Sequence, residues 1–188
     1  MLRLEDCKIE RLSGVPANFD CGDSDLNEFL LEDALPHQND LLAVTYLIKH
    51  GEAVVAYFSV LNDRIAVEQF PTKSQFRKLQ RLLPHRKRCY KSYPAVKLGR
   101  LAVGTAFKKQ GLGAQLLDYI KILFITGNKT GCRFITADAY KHAVDFYSRS
   151  GFVPLSDRPE DSLTELMYFD LKPFAEQLAQ LLPPTADA

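Results

Sequence analysis

Apolar residues along this chain change their period several times, and each change marks an element. After Gly111 they recur at helical spacing: Leu112, Leu116, Leu117, Ile120, Leu123 and Phe124 share one face, which predicts an amphipathic helix. A second helix is predicted over 71–83, with Phe76, Leu79, Leu82 and Leu83 on one side and Lys73, Arg77 and Arg81 along another. A third opens after a turn at 18–23, where Asp23 or Ser24 caps the run containing Leu26, Phe29 and Leu30. Pro36 then breaks that helix or kinks it into a second short one. The β-rich runs at 41–49 and 53–61 flank His50, Gly51 and Glu52 and read as a hairpin. Further strands are predicted at 3–12, 98–103, 132–137, 152–155 and 163–170, with a helix ending at Ser150 between the last four. Residues 84–94 read as a basic loop dotted with aromatics, 174–182 as a short helix and 183–188 as disordered. The mixture predicts an α/β fold, with residues 1–172 as one domain and 173–188 as a tail.

The chemistry concentrates where the strand LGRLAV at 98–103 leads through KKQGLG at 108–113 into the helix. The first amides of a helix lack intrahelical partners, and the helix dipole adds positive potential beside them. Glycines at 111 and 113 let an anion approach the main chain with no Cβ in the way. The turn therefore suits a phosphate or pyrophosphate. It is no P-loop, because no Gly-x-x-x-x-Gly-Lys-Ser/Thr string occurs. Nor is it a Rossmann dinucleotide turn, since Leu116 stands where the third glycine belongs and residues 128–133 supply no acidic partner.

Composition narrows the setting. No apolar run is long enough to span a bilayer and the N-terminus is no signal peptide, which predicts a cytoplasmic protein without membrane partners. Cys7, Cys21, Cys89 and Cys132 form no C-x-x-C pair, and the four histidines have no metal-ligand spacing, so reduced thiols and no metal are expected. The net charge of +1 conceals an asymmetry. Between Gln69 and Leu117 there is no acidic residue, yet twelve of the 24 Lys and Arg fall there, among them Arg77, Arg81, Arg86, Lys87 and Arg88. A region of one sign attracts polyanions. It serves a nucleic acid, a polyanionic cofactor, or no specific partner.

The turn resembles the coenzyme A pyrophosphate loop, Arg/Gln-x-x-Gly-x-Gly/Ala, of the GNAT N-acetyltransferase superfamily. Downstream, AVDFYSRSGF at 143–152 resembles that family's A-x-x-F-Y-x-x-x-G-F signature. Together they cover residues 98–152. The resemblance implies a mixed α+β sheet, mostly antiparallel and splayed at the cofactor site, with flanking helices, and acetyl-CoA as co-substrate. Pantetheine would pair with the backbone of Leu101, Ala102 and Val103. Amides of Lys108, Lys109, Gln110, Gly111, Leu112, Gly113 and Ala114 would hold the pyrophosphate. Tyr147 would protonate the departing sulfur; its other reading is a core tyrosine packed on Phe146 and Phe152. A further match, FDCGDSDLNEFL at 19–30, resembles the opening of the TacT-like toxin branch. Enzymes there acetylate the α-amine of aminoacyl-tRNA and sit beside a small DNA-binding antitoxin.

Three positions depart from the family. Lys108 keeps a cation at the first loop position but lacks the planar fork of Arg. Tyr140 stands where many relatives carry a cofactor-contacting Asn. The strand at 98–103 has no carboxylate to serve as general base, which leaves Asp138 acting through a water. A lysine amine of pKa about 10.4 is only about 0.04% neutral at pH 7, whereas an α-amine near about 7.7 is roughly 15% neutral. A site without a base favours low-pKa amines. The expected function is N-acetyl transfer to a primary amine by direct attack. Aminoacyl-tRNA, a protein lysine and a small amine remain as acceptors, and a non-catalytic acyl-CoA- or nucleic-acid-binding module is the rival outside enzymes. The sequence leaves a homodimer open.

Overall fold

Three consecutive strands pair antiparallel in the computed structural model, which describes residues 2–83, 90–127, 130–155 and 162–181. They are β1 (Lys8–Arg11), β2 (Val44–His50) and β3 (Ala53–Ala66). The turn between β2 and β3 sets His50 opposite Ala53, with Gly51 at φ +59°, a left-handed conformation that glycine adopts freely. Strands β4 (Ser92–Val103), β5 (Phe134–Tyr140), β6 (Val153–Pro154) and β7 (Thr164–Asp170) complete a seven-stranded sheet in the order β1-β2-β3-β4-β5-β7-β6. The chain divides into two compact units, Met1–Asn62 with Lys97–Ile120 and Asp63–Val96 with Lys121–Ala188, so β3 and β4 each contribute to both.

In the first unit, helix α1 (Ser24–Glu28) starts at Asp23, whose carboxylate accepts from the Leu26 amide at 3.1 Å. Instead of breaking at Pro36, the chain passes through one wide turn, Phe29–Asp33, into α2 (Ala34–Asn39). Proline has no N–H to give the Glu32 carbonyl and its ring crowds it, and the wide turn just ahead is where the ladder yields. The core gathers Leu12, Phe19, Phe29, Leu30, Leu47, Tyr57 and, from β4, Ala102. Tyr57 is its centre: Phe19 meets the ring edge-on at 5.4 Å, Phe29 stacks at 6.4 Å, and the hydroxyl donates to the Leu26 carbonyl at 2.7 Å. Helix α4 (Leu112–Ile125) buries Leu112, Leu116, Leu117 and Ile120, the face its spacing predicts.

The second unit packs α3 (Lys73–Gln80), α5 (Val144–Arg149) and α6 (Leu171–Leu181) with β5, β6 and β7. Antiparallel β5 and β7 run in register from Phe134 opposite Asp170 to Tyr140 opposite Thr164. Phe76 and Leu79 of α3 join Ile65, Ala95, Phe134, Leu155 and Leu166 in the core. Arg133 ties down the turn that follows that helix. Its guanidinium grips both carboxylate oxygens of Asp170 at 2.8 Å and donates to the Leu82 carbonyl at 3.3 Å.

Several boundaries differ from the sequence reading. Leu4–Asp6 forms a 3-10 turn, so β1 starts at Lys8. Strand β3 continues past Leu61 to Ala66, and β4 starts at Ser92 inside the expected loop. Leu82 is exposed rather than part of the buried side of α3. The tail helix begins at Leu171, where the Asp170 carboxylate accepts from the Lys172 amide. Residues 84–89, with Arg86, Lys87 and Arg88, lie outside the described residues, as do 182–188. Among the described residues, no helix is long and apolar enough to cross a membrane and no three potential metal ligands cluster.

Candidate active site

The strand and turn singled out in the sequence belong to one unit. Leu101, Ala102 and Val103 end β4, and Ala102 is anchored in the core beside Tyr57. Gly104 donates to the Val55 carbonyl at 2.8 Å, and a Cβ there would stand 3.3 Å from that same oxygen, a tight contact where β4 leaves β3. One 3-10 turn, Thr105–Phe107, leads to the loop. Lys109 lies at φ +60° and Gly111 at +83°. Left-handed residues in such a turn aim neighbouring N–H groups to one side, the backbone pattern of an anion-binding concavity.

Hydrogen bonding agrees. The Lys108 amide bonds Thr105 O, and the first helical bonds run from Ala114 and Gln115 to Gly111 O at 3.1 and 3.2 Å. Between them, the amides of Lys109, Gln110, Gly111, Leu112 and Gly113 bond no described residue. Five consecutive free donors at a helix start, flanked by exposed Lys108 and Lys109, fit a pyrophosphate. Lys108 and Ala114 are the two members of the expected set whose amides are already spent. The Gln110 side chain is also engaged, accepting from the Leu2 amide at 3.0 Å and donating to Ala106 O at 3.2 Å. Gln115 likewise accepts from the Leu4 amide at 2.8 Å. The ties to Leu2 and Leu4 join residues more than a hundred positions apart and leave no local signal in the sequence.

Tyr147 belongs to the second unit, and its ring takes the packing that its core reading expects. Its ring packs edge-on against Phe146 and Phe152, with centroids 5.2 and 5.3 Å apart. The backbone explains the signature around it. Gly151 takes φ +84°, where a Cβ would press to 3.0 Å from the Phe169 ring, and the Phe152 amide then bonds back to Tyr147 O at 3.1 Å. The hydroxyl bonds no described residue. Burial pushes the phenol up to about 12, so it holds its proton at any physiological pH. Of the departures, Tyr140 stacks on His142 at 5.6 Å, and Asp138 is exposed near the end of β5. Arg77 and Arg81, with Lys73 and Lys78, are exposed along α3, and none pairs with an acidic side chain among the described residues.

The family model described as an acetyltransferase (GNAT) domain matches residues 88–166, which span β4, the loop, α4 and the Tyr147 segment. Over that segment the chain is similar to the GNAT acetyltransferases. Solved structures extend the likeness to nearly the full length of the chain. A tyrosine-to-phenylalanine variant of KacT is 25% identical over 92% of this chain and 98% of its own, with a TM-score of 0.71. AtaT complexed with acetyl-methionyl-tRNA is 24% identical over 92% and 99%, with a TM-score of 0.70. A variant of the AtaT toxin bound to the C-terminus of the antitoxin AtaR and acetyl-CoA is 22% identical over 92% and 98%, with a TM-score of 0.65.

The loop makes a direct prediction. Gly113→Asp places a side chain and a negative charge among the free amides. Calorimetry on the wild type should show coenzyme A binding well above pantetheine, which lacks the phosphates, and the variant should lose most of that gap. Equal binding of both ligands by the wild type would remove the pyrophosphate assignment.

Proposed function

We propose that this acetyl-CoA-dependent N-acetyltransferase acts on the α-amine of aminoacyl-tRNA. The observation that carries the acceptor is the basic face of α3: four exposed cations with no acidic partner among the described residues. A solvated basic face that is not neutralised by its own protein retains its field for a polyanion. The likeness to AtaT, whose structure holds an acetylated aminoacyl-tRNA, supports the same reading. So does the missing carboxylate on β4, because an α-amine supplies its own neutral fraction at pH 7.

In this reading the free amides of residues 109–113 hold the pyrophosphate and the backbone of Leu101, Ala102 and Val103 pairs with pantetheine. The neutral amine attacks the thioester carbon, a tetrahedral oxyanion forms, and the C–S bond breaks. The amine's surplus proton goes to water, and Tyr147 gives its own to the departing sulfur and recovers one from solvent. A phenol near about 12 would not protonate a resting thioester. Its proton moves only as thiolate charge develops, which is when it is needed. The partner set follows the same likeness: an antitoxin that binds the enzyme, as AtaR binds AtaT.

The test is acetyl transfer from labelled acetyl-CoA to charged tRNA, to the same tRNA after deacylation, and to lysine-containing peptides and small amines. Label should appear on charged tRNA alone and leave with the aminoacyl group on mild alkaline hydrolysis. Label on peptides or small amines, with charged tRNA untouched, would give the enzyme a different acceptor.

A further inference from the structure

The segment at 18–30 resembles the start of a toxin-like branch, but its sequence says nothing about what it does. In the structure it is the support on which the candidate pyrophosphate loop rests. The Asp20 carbonyl accepts from the Thr105 amide at 2.9 Å and from the Thr105 hydroxyl at 3.3 Å, which holds the first residue of the turn leading to Lys108. The Asp20 carboxylate in turn shapes its own loop: one oxygen accepts from the Gly22 amide at 2.7 Å and from the Asn27 side chain at 2.9 Å. Asn27 closes the ring by accepting from the Cys21 amide at 2.9 Å. The two loops sit close. A Cβ on Gly22, itself at φ +75°, would lie 3.3 Å from Thr105 Cγ2 and 3.8 Å from Lys108 Nζ.

We propose that Asp20 is a positioning residue for coenzyme A: its hydrogen bonds fix the 18–27 loop, which through Thr105 fixes the amides that grip pyrophosphate. The inference rests on the pyrophosphate reading of residues 109–113. Gly22 and Asn27 hydrogen bonds, and Lys108 nearby, hold the Asp20 carboxyl below the usual carboxylate range, so it is a full-time acceptor at neutral pH. An anion beside a phosphate site works against binding, so a carboxylate is a poor choice there unless its role is geometric. An amide at position 20 would keep an oxygen in the same place for Gly22 and Asn27 and lose the charge.

Calorimetry with coenzyme A and with pantetheine on the wild type, Asp20→Ala and Asp20→Asn tests this. Asp20→Ala should narrow the gap between the two ligands on the order of tenfold, the loss of about one hydrogen bond to phosphate, with pantetheine binding unchanged. Asp20→Asn should keep the gap. A gap that survives intact in Asp20→Ala overturns the inference. An Asp20→Asn variant as damaged as Asp20→Ala overturns it too, because the charge rather than the geometry would then be at work. A wild type with no gap overturns the pyrophosphate reading itself, which is a separate outcome. Where Asp20→Ala melts as an unfolded chain, Thr105→Val replaces it: losing one hydroxyl bond should narrow the gap in the same direction, and an unchanged gap overturns the proposal.

Discussion

Replacing Tyr147 with phenylalanine should lower turnover by about 10²–10⁴, the range for loss of a general acid, and leave acetyl-CoA affinity within a few-fold. The variant is unusually clean. Phenylalanine keeps the edge-on contacts to Phe146 and Phe152, and the lost hydroxyl bonds no described residue, so the melting temperature should hardly move. The pH profile gives a second readout. Burial raises the folded phenol to about 12, so the acid form is lost only as pH rises through that value. The wild-type rate should climb with pH through the amine's own pKa and show no fall near about 10, where an unburied phenol would ionise. Turnover unchanged by the substitution, with chemistry rate-limiting, would leave Tyr147 as a core residue only.

The second large effect concerns salt. If the four cations of α3 each neutralise one phosphate, affinity for charged tRNA should fall on the order of 10² between about 50 and about 200 mM salt, because each contact releases counterion. Contacts from Arg86, Lys87 and Arg88 would steepen the slope further. Double reversal, Arg77→Glu with Arg81→Glu, should flatten it and depress acetylation of tRNA, with acetylation of a small free amine nearly unchanged. Both side chains are exposed, so the fold should tolerate the change. If the charge serves coenzyme A alone, both acceptors will suffer together. No tRNA binding at low salt would point to a small or peptidic amine.

How legible was this molecule in its sequence? Helix α4 was legible because its apolar face is strict: the residues spaced at 112, 116, 117 and 120 are all buried. The turn before it could be read from two glycines, since their demand is local. Strand β4 was only half read. Pro94 suggests a loop, yet near the start of a strand it forfeits little, and its carbonyl accepts from the Arg133 amide at 3.1 Å. Strand β3 looked finished at Leu61 because Asn62, Asp63 and Arg64 are polar. It continues because Asp63 accepts a hydrogen bond from Thr136, a buried residue of β5. The wide turn at Phe29–Asp33 resolves the alternatives at Pro36 in a way no periodicity shows. Contacts such as Asp20 with Thr105 join residues 85 positions apart, and only the folded chain reveals them.

The Arg133 clamp has a consequence for kinetics. By holding Leu82 O and Asp170 together, it seats the turn just after α3 in the folded chain whether or not any nucleic acid is present. A helix that is already in place gives up little conformational entropy on complex formation. Capture would then be governed by diffusion in the field of Lys73, Arg77, Lys78 and Arg81, and ionic strength would act mainly on the association rate rather than on the lifetime of the complex.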